Sequence, residues 1–189
     1  QKAATQYPIV LIKNPETGGF AAVALLGFED QENLFWKEGE WDGLYVPLNV
    51  SRQPFFIGQD NATGGGLALC VDLDSPCCSQ DSGQPLFDDQ GQAAPYLQNI
   101  QKAMGQLVDG EGLTKTFIDD LTSDDLLTEL ALDIQFANGE KQKVKGVYSI
   151  DEANLNALKA DKLTGLRDKG YLPPIYAMII SLGQIFGLI

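Results

Sequence analysis

With 189 residues, 44% hydrophobic and 21% charged, the chain is long enough for one domain with a real core and too apolar for a disordered tail. Its net charge of −13 comes from 14 acidic against 5 basic residues up to Gly110 and 12 against 8 after it. That field repels phosphate backbones and anionic lipid, which sets aside nucleic acid as a partner, and it keeps the protein in solution. There is no histidine. Its absence removes Ser-His-Asp and Cys-His nucleophile pairs, histidine-bearing zinc and iron sites, and the usual general base near neutral pH.

Tyr7–Lys13 is an apolar run bounded by Pro8 and by Asn14-Pro15, and it reads as a buried strand. Asn14–Gly19 is a turn whose glycines accept positive φ, and Phe20–Leu26 returns as the hairpin partner. Asn33–Trp36 is a third short strand and Trp41-Asp-Gly43 a turn. Val46–Arg52 fits strand or helix, since Pro47 suits a first helical turn, and Pro54 stops it. Phe55–Ile57 and Leu67–Asp72 are two further strands on either side of a glycine-rich loop. Asp72–Gln92 is the least ordered stretch by composition, with Leu86-Phe87 as its apolar anchor.

Pro95 opens a helix with Leu97, Ile100, Met104, Leu107 and Val108 on one face, ended by Gly110 and Gly112. Leu113, Phe117 and Leu121 mark a separate short helix, and Thr122 with Asp125 has capping-box spacing before Leu126. Leu130, Leu132, Ile134 and Phe136 then alternate as a strand. Asn138-Gly139 signals a hairpin, and the return strand carries Val144, Tyr148 and Ile150, with Lys141, Lys143 and Lys145 opposite. Asp151 caps a short helix through Leu155 and Leu158, and another around Leu163 and Leu166 ends at Gly170. The uncharged segment from Pro173 to Ile189 is about sixteen residues of helix, short of the roughly twenty needed to span a bilayer. It reads as a core helix burying Ile175, Met178, Ile179, Leu182, Ile185 and Phe186, so no membrane span is expected.

The candidate sites lie mainly in Asn33–Gly58, which holds both tryptophans, four other aromatics and Arg52, the lone arginine before Arg167. Trp36, Trp41 and Tyr45, with Phe55 and Phe56, suit either an aromatic core or a flat ligand-binding pocket. Arg52 suits either an internal ion pair with Asp42 or Asp72, or a clamp on a ligand carboxylate. Cys70, Cys77 and Cys78 are odd in number and lack Cys-x-x-Cys spacing, so they read as reduced thiols and as candidate redox thiols. Neither they nor Asp88-Asp89 make a regular metal motif, and Gly64-Gly-Gly66 is a turn rather than a phosphate cradle. No metal, no cofactor and no catalytic residue is assigned. A protein partner and a small molecule remain as binding partners.

Several segments together resemble the SapC family, named for a surface-layer-associated protein. They are Tyr7-Pro-Ile-Val10, Val23-Ala-Leu-Leu-Gly27, Asn33-Leu-Phe35, Trp41-Asp-Gly43, Tyr45-Val-Pro47, Arg52-Gln-Pro-Phe55, Gly83-Gln-Pro-Leu-Phe87, and Ile175-Tyr176 with Ser181-Leu182. The resemblance covers nearly the whole chain. It implies a bacterial source, a link in name to surface layers, and encoding near flavin-dependent tryptophan halogenases and TonB-dependent receptors. It brings no catalytic residues to transfer. The family usually has a longer N-terminal lead than this sequence shows before Gln1, and a targeting signal could belong to such a lead.

The expectation is therefore one α+β domain over residues 1–189. A mostly antiparallel sheet from the N-terminal half and a later hairpin are packed by C-terminal helices. Function is expected to be that of a non-catalytic accessory or binding protein in the cytoplasm, with surface attachment left open by the missing lead. The alternative is an enzyme or small-molecule binder with its pocket between Trp36, Trp41 and Arg52.

Overall fold

A computed structural model describes residues 2–29, 31–60, 65–136 and 139–189. It shows an α+β protein in which every paired strand is antiparallel. The chain divides into two units: Gln1–Tyr45 with Thr114–Ile189, and Val46–Leu113.

The first unit is built on a four-stranded sheet of order β2-β1-β8-β7. Strands β1 (Ile9–Lys13) and β2 (Phe20–Ala24) form the expected hairpin. The Asn14 side-chain oxygen accepts the N–H groups of Glu16 and Thr17, and Gly18 sits at φ +71°. A two-residue ladder, β3 (Trp36–Lys37) and β4 (Glu40–Trp41), turns through Glu38 and Gly39, both at positive φ as a type I′ turn requires. The third strand thus starts at Trp36, where Asn33–Trp36 was expected.

Strands β7 (Leu127–Gln135) and β8 (Lys141–Ile150) form the second hairpin. Gly139 is at φ +88°, while Asn138 lies outside the described residues. The register pairs Leu130 with Val147 and Leu132 with Val144, leaving Lys145 and Gly146 against one residue of β7. Gly146, at φ +74°, makes this bulge possible. One extra residue moves everything beyond it to the opposite face. Val144 therefore shares a face with Val147 and Ser149, and not with Tyr148 and Ile150 as simple alternation suggests.

Leu11, Tyr148 and Ile150 face a core of Phe117, Ile118, Leu121, Leu126, Leu155, Leu166, Ile175 and Met178. Apart from Leu126, which lies between α2 and β7 (Leu127–Gln135), these come from the end of α2 (Pro95–Ser123) and from α3 (Glu152–Asn156), α4 (Ala160–Asp168) and α5 (Leu172–Ser181). Asp151 caps α3 by accepting the Asn154 N–H, and Gly170 at φ +73° follows α4, both as expected. A 3-10 run, Leu182–Leu188, closes the chain.

Two helical expectations are corrected. Helix α2 passes straight through Gly110 and Gly112 to Ser123. An interior glycine costs about 1 kcal/mol, whereas a break leaves several N–H and C=O groups without partners and demands a second nucleation. Thr122 is consequently inside the helix, its hydroxyl donating to the Ile118 carbonyl, and Asp125 turns the chain at φ +56° rather than capping. In the C-terminal segment Ile175, Met178, Ile185 and Leu188 are buried, but Phe186 is 81% exposed and Ile180 72%. Among the described residues no single helix is long and apolar enough to cross a membrane; α4 and the Leu172–Leu188 run would do so only as a pair bent by 94°.

The second unit contains α1 (Leu48–Ser51), the hairpin β5 (Phe55–Asp60) and β6 (Gly66–Val71), and the first part of α2. The first-half strands thus divide among three sheets. Asp72–Gln92 carries no regular element beyond the single bridge Phe87 to Ala93. Short side-chain turns organise it. Asp72 accepts the Asp74 N–H, Ser79 accepts those of Asp81 and Ser82, and Asp88 accepts those of Gln90 and Gln92. Leu86 is half-buried, but its expected fellow anchor Phe87 is 58% exposed.

Candidate functional site

The residues singled out from sequence fall into two groups with different surroundings. In the first unit Tyr7 is fully buried and its ring packs edge-on against Phe35 (4.8 Å) and Trp41 (6.4 Å). Phe35 and Trp41 stack at 6.0 Å and 14°. The Trp41 Nε1–H donates to the Tyr7 hydroxyl at 3.0 Å, and that hydroxyl donates to the Tyr45 carbonyl. The Tyr45 N–H in turn donates to Gln6 Oε1 at 3.0 Å. Burial pushes the Tyr7 phenol above its ordinary value, opposed by the Trp41 bond. Gly43 leaves room here, since a Cβ would lie 2.2 Å from the Gln6 amide nitrogen and 2.9 Å from the indole nitrogen, and one of them would have to shift. Trp41 and Tyr45 are thus engaged with the chain itself. Trp36 pairs with Trp41 across β3 and β4 but stands 57% exposed. The shallow recess beside Trp41 is lined otherwise by Lys37, Glu38, Glu40 and Asp42, so it is an ionic surface and not an aromatic slot.

Arg52 belongs to the second unit. Its Nε donates to Asn49 Oδ1 and its Nη1 to the Phe55 carbonyl, each at 2.5 Å. Neither expected aspartate pairs with it: Asp42 is bound to Lys37 at 2.6 Å, and Asp72 uses its carboxylate on the Asp74 N–H. The guanidinium fastens the turn that delivers Pro54 and Phe55.

Those two residues open onto a cavity of about 260 Å³ that the sequence reading did not find. Its apolar wall is Pro54, Phe55, Val71, Leu73, Leu86 and Tyr96. Cys77, Cys78, Ser79, Ser82, Gly83 and Gln84 complete it. The Phe55 and Tyr96 rings meet edge-to-face at 6.1 Å in this wall. Three separate segments contribute: the turn before β5, the loop from the end of β6 through Leu86, and the start of α2. No carboxylate, lysine or arginine lines it. Such a lining suits an uncharged, mainly apolar group and includes hydroxyl, amide and thiol side chains. At this volume it is smaller than the ~300–1,000 Å³ pockets of drug-sized ligands, so it suits a single ring system or a protruding side chain.

The structure places the three cysteines in two settings. Cys77 and Cys78 line the cavity, whereas Cys70 lies on β6 against Gly58, where a Cβ would come within 2.9 Å of its sulfur. Among the described residues no group of three or more histidine, cysteine, aspartate or glutamate side chains is placed to hold a metal ion. Asp88 accepts the backbone N–H groups of Gln90 and Gln92, and Gly64 of the glycine triplet lies outside the described residues. One signal for the cavity was available: Leu73, Leu86 and Phe87 are the large apolar side chains of an otherwise polar stretch, and the first two line it.

Fold and cavity together define an α+β protein with a small, uncharged cavity and no assembled catalytic group among its lining residues. The profile of the SapC family matches residues 1–188, and the chain belongs to that family. No curated protein and no solved structure matches it. Two of the segments that carry the family resemblance, Arg52–Phe55 and Gly83–Phe87, contribute to the cavity wall.

Proposed function

We propose that the chain is a non-catalytic binding and accessory protein whose cavity in the second unit takes an uncharged, largely apolar group. The reading extends to a cytoplasmic protein partner in a surface-layer or tryptophan-halogenase-type system, in line with the family resemblance. The observation that carries it is the charge-free lining of the cavity in a chain of net charge −13. Acid–base catalysis needs a titrating group within hydrogen-bond reach of the reacting atoms, and the histidine-free chain offers this cavity only thiols and a phenol. The alternative pocket around Trp36, Trp41 and Arg52 finds less support. Trp41 is packed on Tyr7, and Arg52 is bonded within its own turn.

The test is native co-purification read by mass spectrometry, comparing the chain with Val71→Trp, which fills the cavity. A neutral small molecule or a partner protein retained by the first and lost by the second supports the reading. Substrate turnover by the purified chain alone overturns it.

A further inference from the structure

The four-stranded sheet of the first unit has two outer strands, β2 and β7, and they are finished differently. Strand β7 carries Glu129 and Asp133, and its pairing with β8 is interrupted by the bulge at Gly146. Charges and bulges keep a sheet edge from pairing with another chain. Strand β2 has neither. Gly18–Phe28 holds no charged residue, in a chain of net charge −13, and the ladder of β2 with β1 runs without a register shift.

The register shows which backbone groups of β2 face outward. The Asn14 N–H bonds the Gly19 carbonyl, and the Leu25 N–H bonds the Pro8 carbonyl. In this ladder the odd-numbered residues of β2 are therefore the ones in hydrogen-bonded pairs with β1. The N–H and C=O groups of Phe20, Ala22 and Ala24 point away from β1, where among the described residues no strand meets them. This row is closed at both ends. The Gly18 N–H bonds the Asn14 carbonyl, and the Leu26 carbonyl accepts the Leu34 N–H. Ala22 lies midway between the two. Ala21 and Ala22 are exposed, and Ile12, paired with Ala21, is 43% exposed.

We infer that β2 is a homodimer interface, pairing antiparallel with β2 of a second copy about a two-fold axis at Ala22. In that register Phe20 meets Ala24 of the second copy, Ala21 meets Val23, and Ala22 meets its own equivalent. The pairs at Phe20, Ala22 and Ala24 each exchange two backbone hydrogen bonds. A bulky ring lies against a methyl group on both sides of the axis. Ile12 and Ala21 continue into Val23 and Val10 of the second copy as one apolar row. The free row is thus matched to itself in length, in hydrogen-bonding direction and in side-chain size, as a two-fold contact requires. The uncharged strip is also where two chains of net charge −13 meet with least repulsion. The charged β7 edges are left outermost, and they stop the joined sheet at two copies.

Sedimentation velocity of the full chain from about 1 μM to 1 mM should show monomer and dimer in equilibrium and nothing larger. Ala22→Pro removes an N–H that bonds nothing within the monomer, so the circular-dichroism spectrum should stay and dimerisation weaken at least about tenfold. Ala22→Lys sets two like charges across the axis and should weaken it similarly, which gives a second reading if the proline variant does not fold. Ala131→Lys, on the β7 edge, should leave dimerisation unchanged. A chain that stays monomeric over the whole range, or forms larger assemblies, overturns the inference. So does a dimer that persists in folded Ala22→Pro or Ala22→Lys, or one that is lost in folded Ala131→Lys.

Discussion

The two units use their family-pattern residues for opposite ends. In the first, several such residues are engaged by another part of the same unit. Tyr7 bonds Trp41 and Tyr45, and Gly43 leaves room for the Gln6 amide. Gly27 leaves room for Glu32, whose carboxylate accepts the N–H groups of Phe28 and Glu29 at 2.7 and 3.1 Å. Ser181, fully buried on α5, accepts the Ile9 N–H at 2.9 Å and donates to the Met178 carbonyl at 2.7 Å, fastening the C-terminal helix to β1. In the second unit, Pro54, Phe55, Gly83, Gln84 and Leu86 instead surround a space that no side chain fills. A residue pattern can therefore mark internal packing in one place and the wall of a cavity in another, and only the geometry separates the two.

The sharpest way to break this contrast is to damage each unit and read both stability and binding. Leu121→Ala removes a fully buried side chain from the first unit's core and should cost about 2–5 kcal/mol in chemical denaturation. Val71→Trp should abolish binding of the uncharged dye Nile red with a far smaller change in stability. If the two variants lose stability equally, the division into a structural unit and a binding unit fails. Ser181→Ala comes next. It leaves the Ile9 N–H without its acceptor, a loss of about 1–3 kcal/mol, and dye affinity measured below the unfolding transition should not move. A smaller change of opposite sign is expected at Gly110 inside α2, where an added Cβ meets nothing within 4 Å. Gly110→Ala should raise stability by about 0.5–1 kcal/mol, and a loss instead would show that the helix relies on the flexibility there.

Legibility followed the physics that each signal reports. The β1–β2 hairpin was readable because its turn chemistry is local: Asn14 and Gly18 act within six residues. The β7–β8 pairing was readable from alternation, but the bulge was not, because Gly146 is one glycine among twenty and only cross-strand register reveals its role. Helix α2 was cut short because glycine propensity is a weak local cost that tertiary burial of Phe117, Ile118 and Leu121 outweighs. Phe186 was placed in the core because periodicity shows which residues are apolar and not which of them are covered. The cavity was missed for a related reason. Its walls come from positions 54–55, 71–86 and 96, and an uncharged site leaves no cluster of titratable residues for a sequence reading to find.

The smallest expected effect concerns pH, and it belongs to the first unit alone. Lys169 Nζ and the Tyr171 hydroxyl both bind Asp120 Oδ2, at 2.8 and 2.9 Å. The Lys169 bond, then that of Tyr171, holds the Asp120 carboxyl below its ordinary 3.8. Its contribution is therefore present above 3.8 and lost as pH falls through the lowered value. On the alkaline side the signs reverse. Asp120 raises Lys169 above 10.5, Asp124 does the same for Lys162, and burial followed by the Asp120 bond raises Tyr171 above 10.0. Those contributions are complete below the ordinary values and lost as pH climbs through the raised ones. Stability should thus be flat from about pH 5 to 9 and fall on both sides. Asp120→Asn should flatten the acid limb slightly, since the ion pair is solvent-screened, and leave dye binding in the second unit unchanged. A dye affinity that tracked Asp120 would show that the cavity depends on the charge network of the other unit, and the separation of roles drawn above would no longer hold.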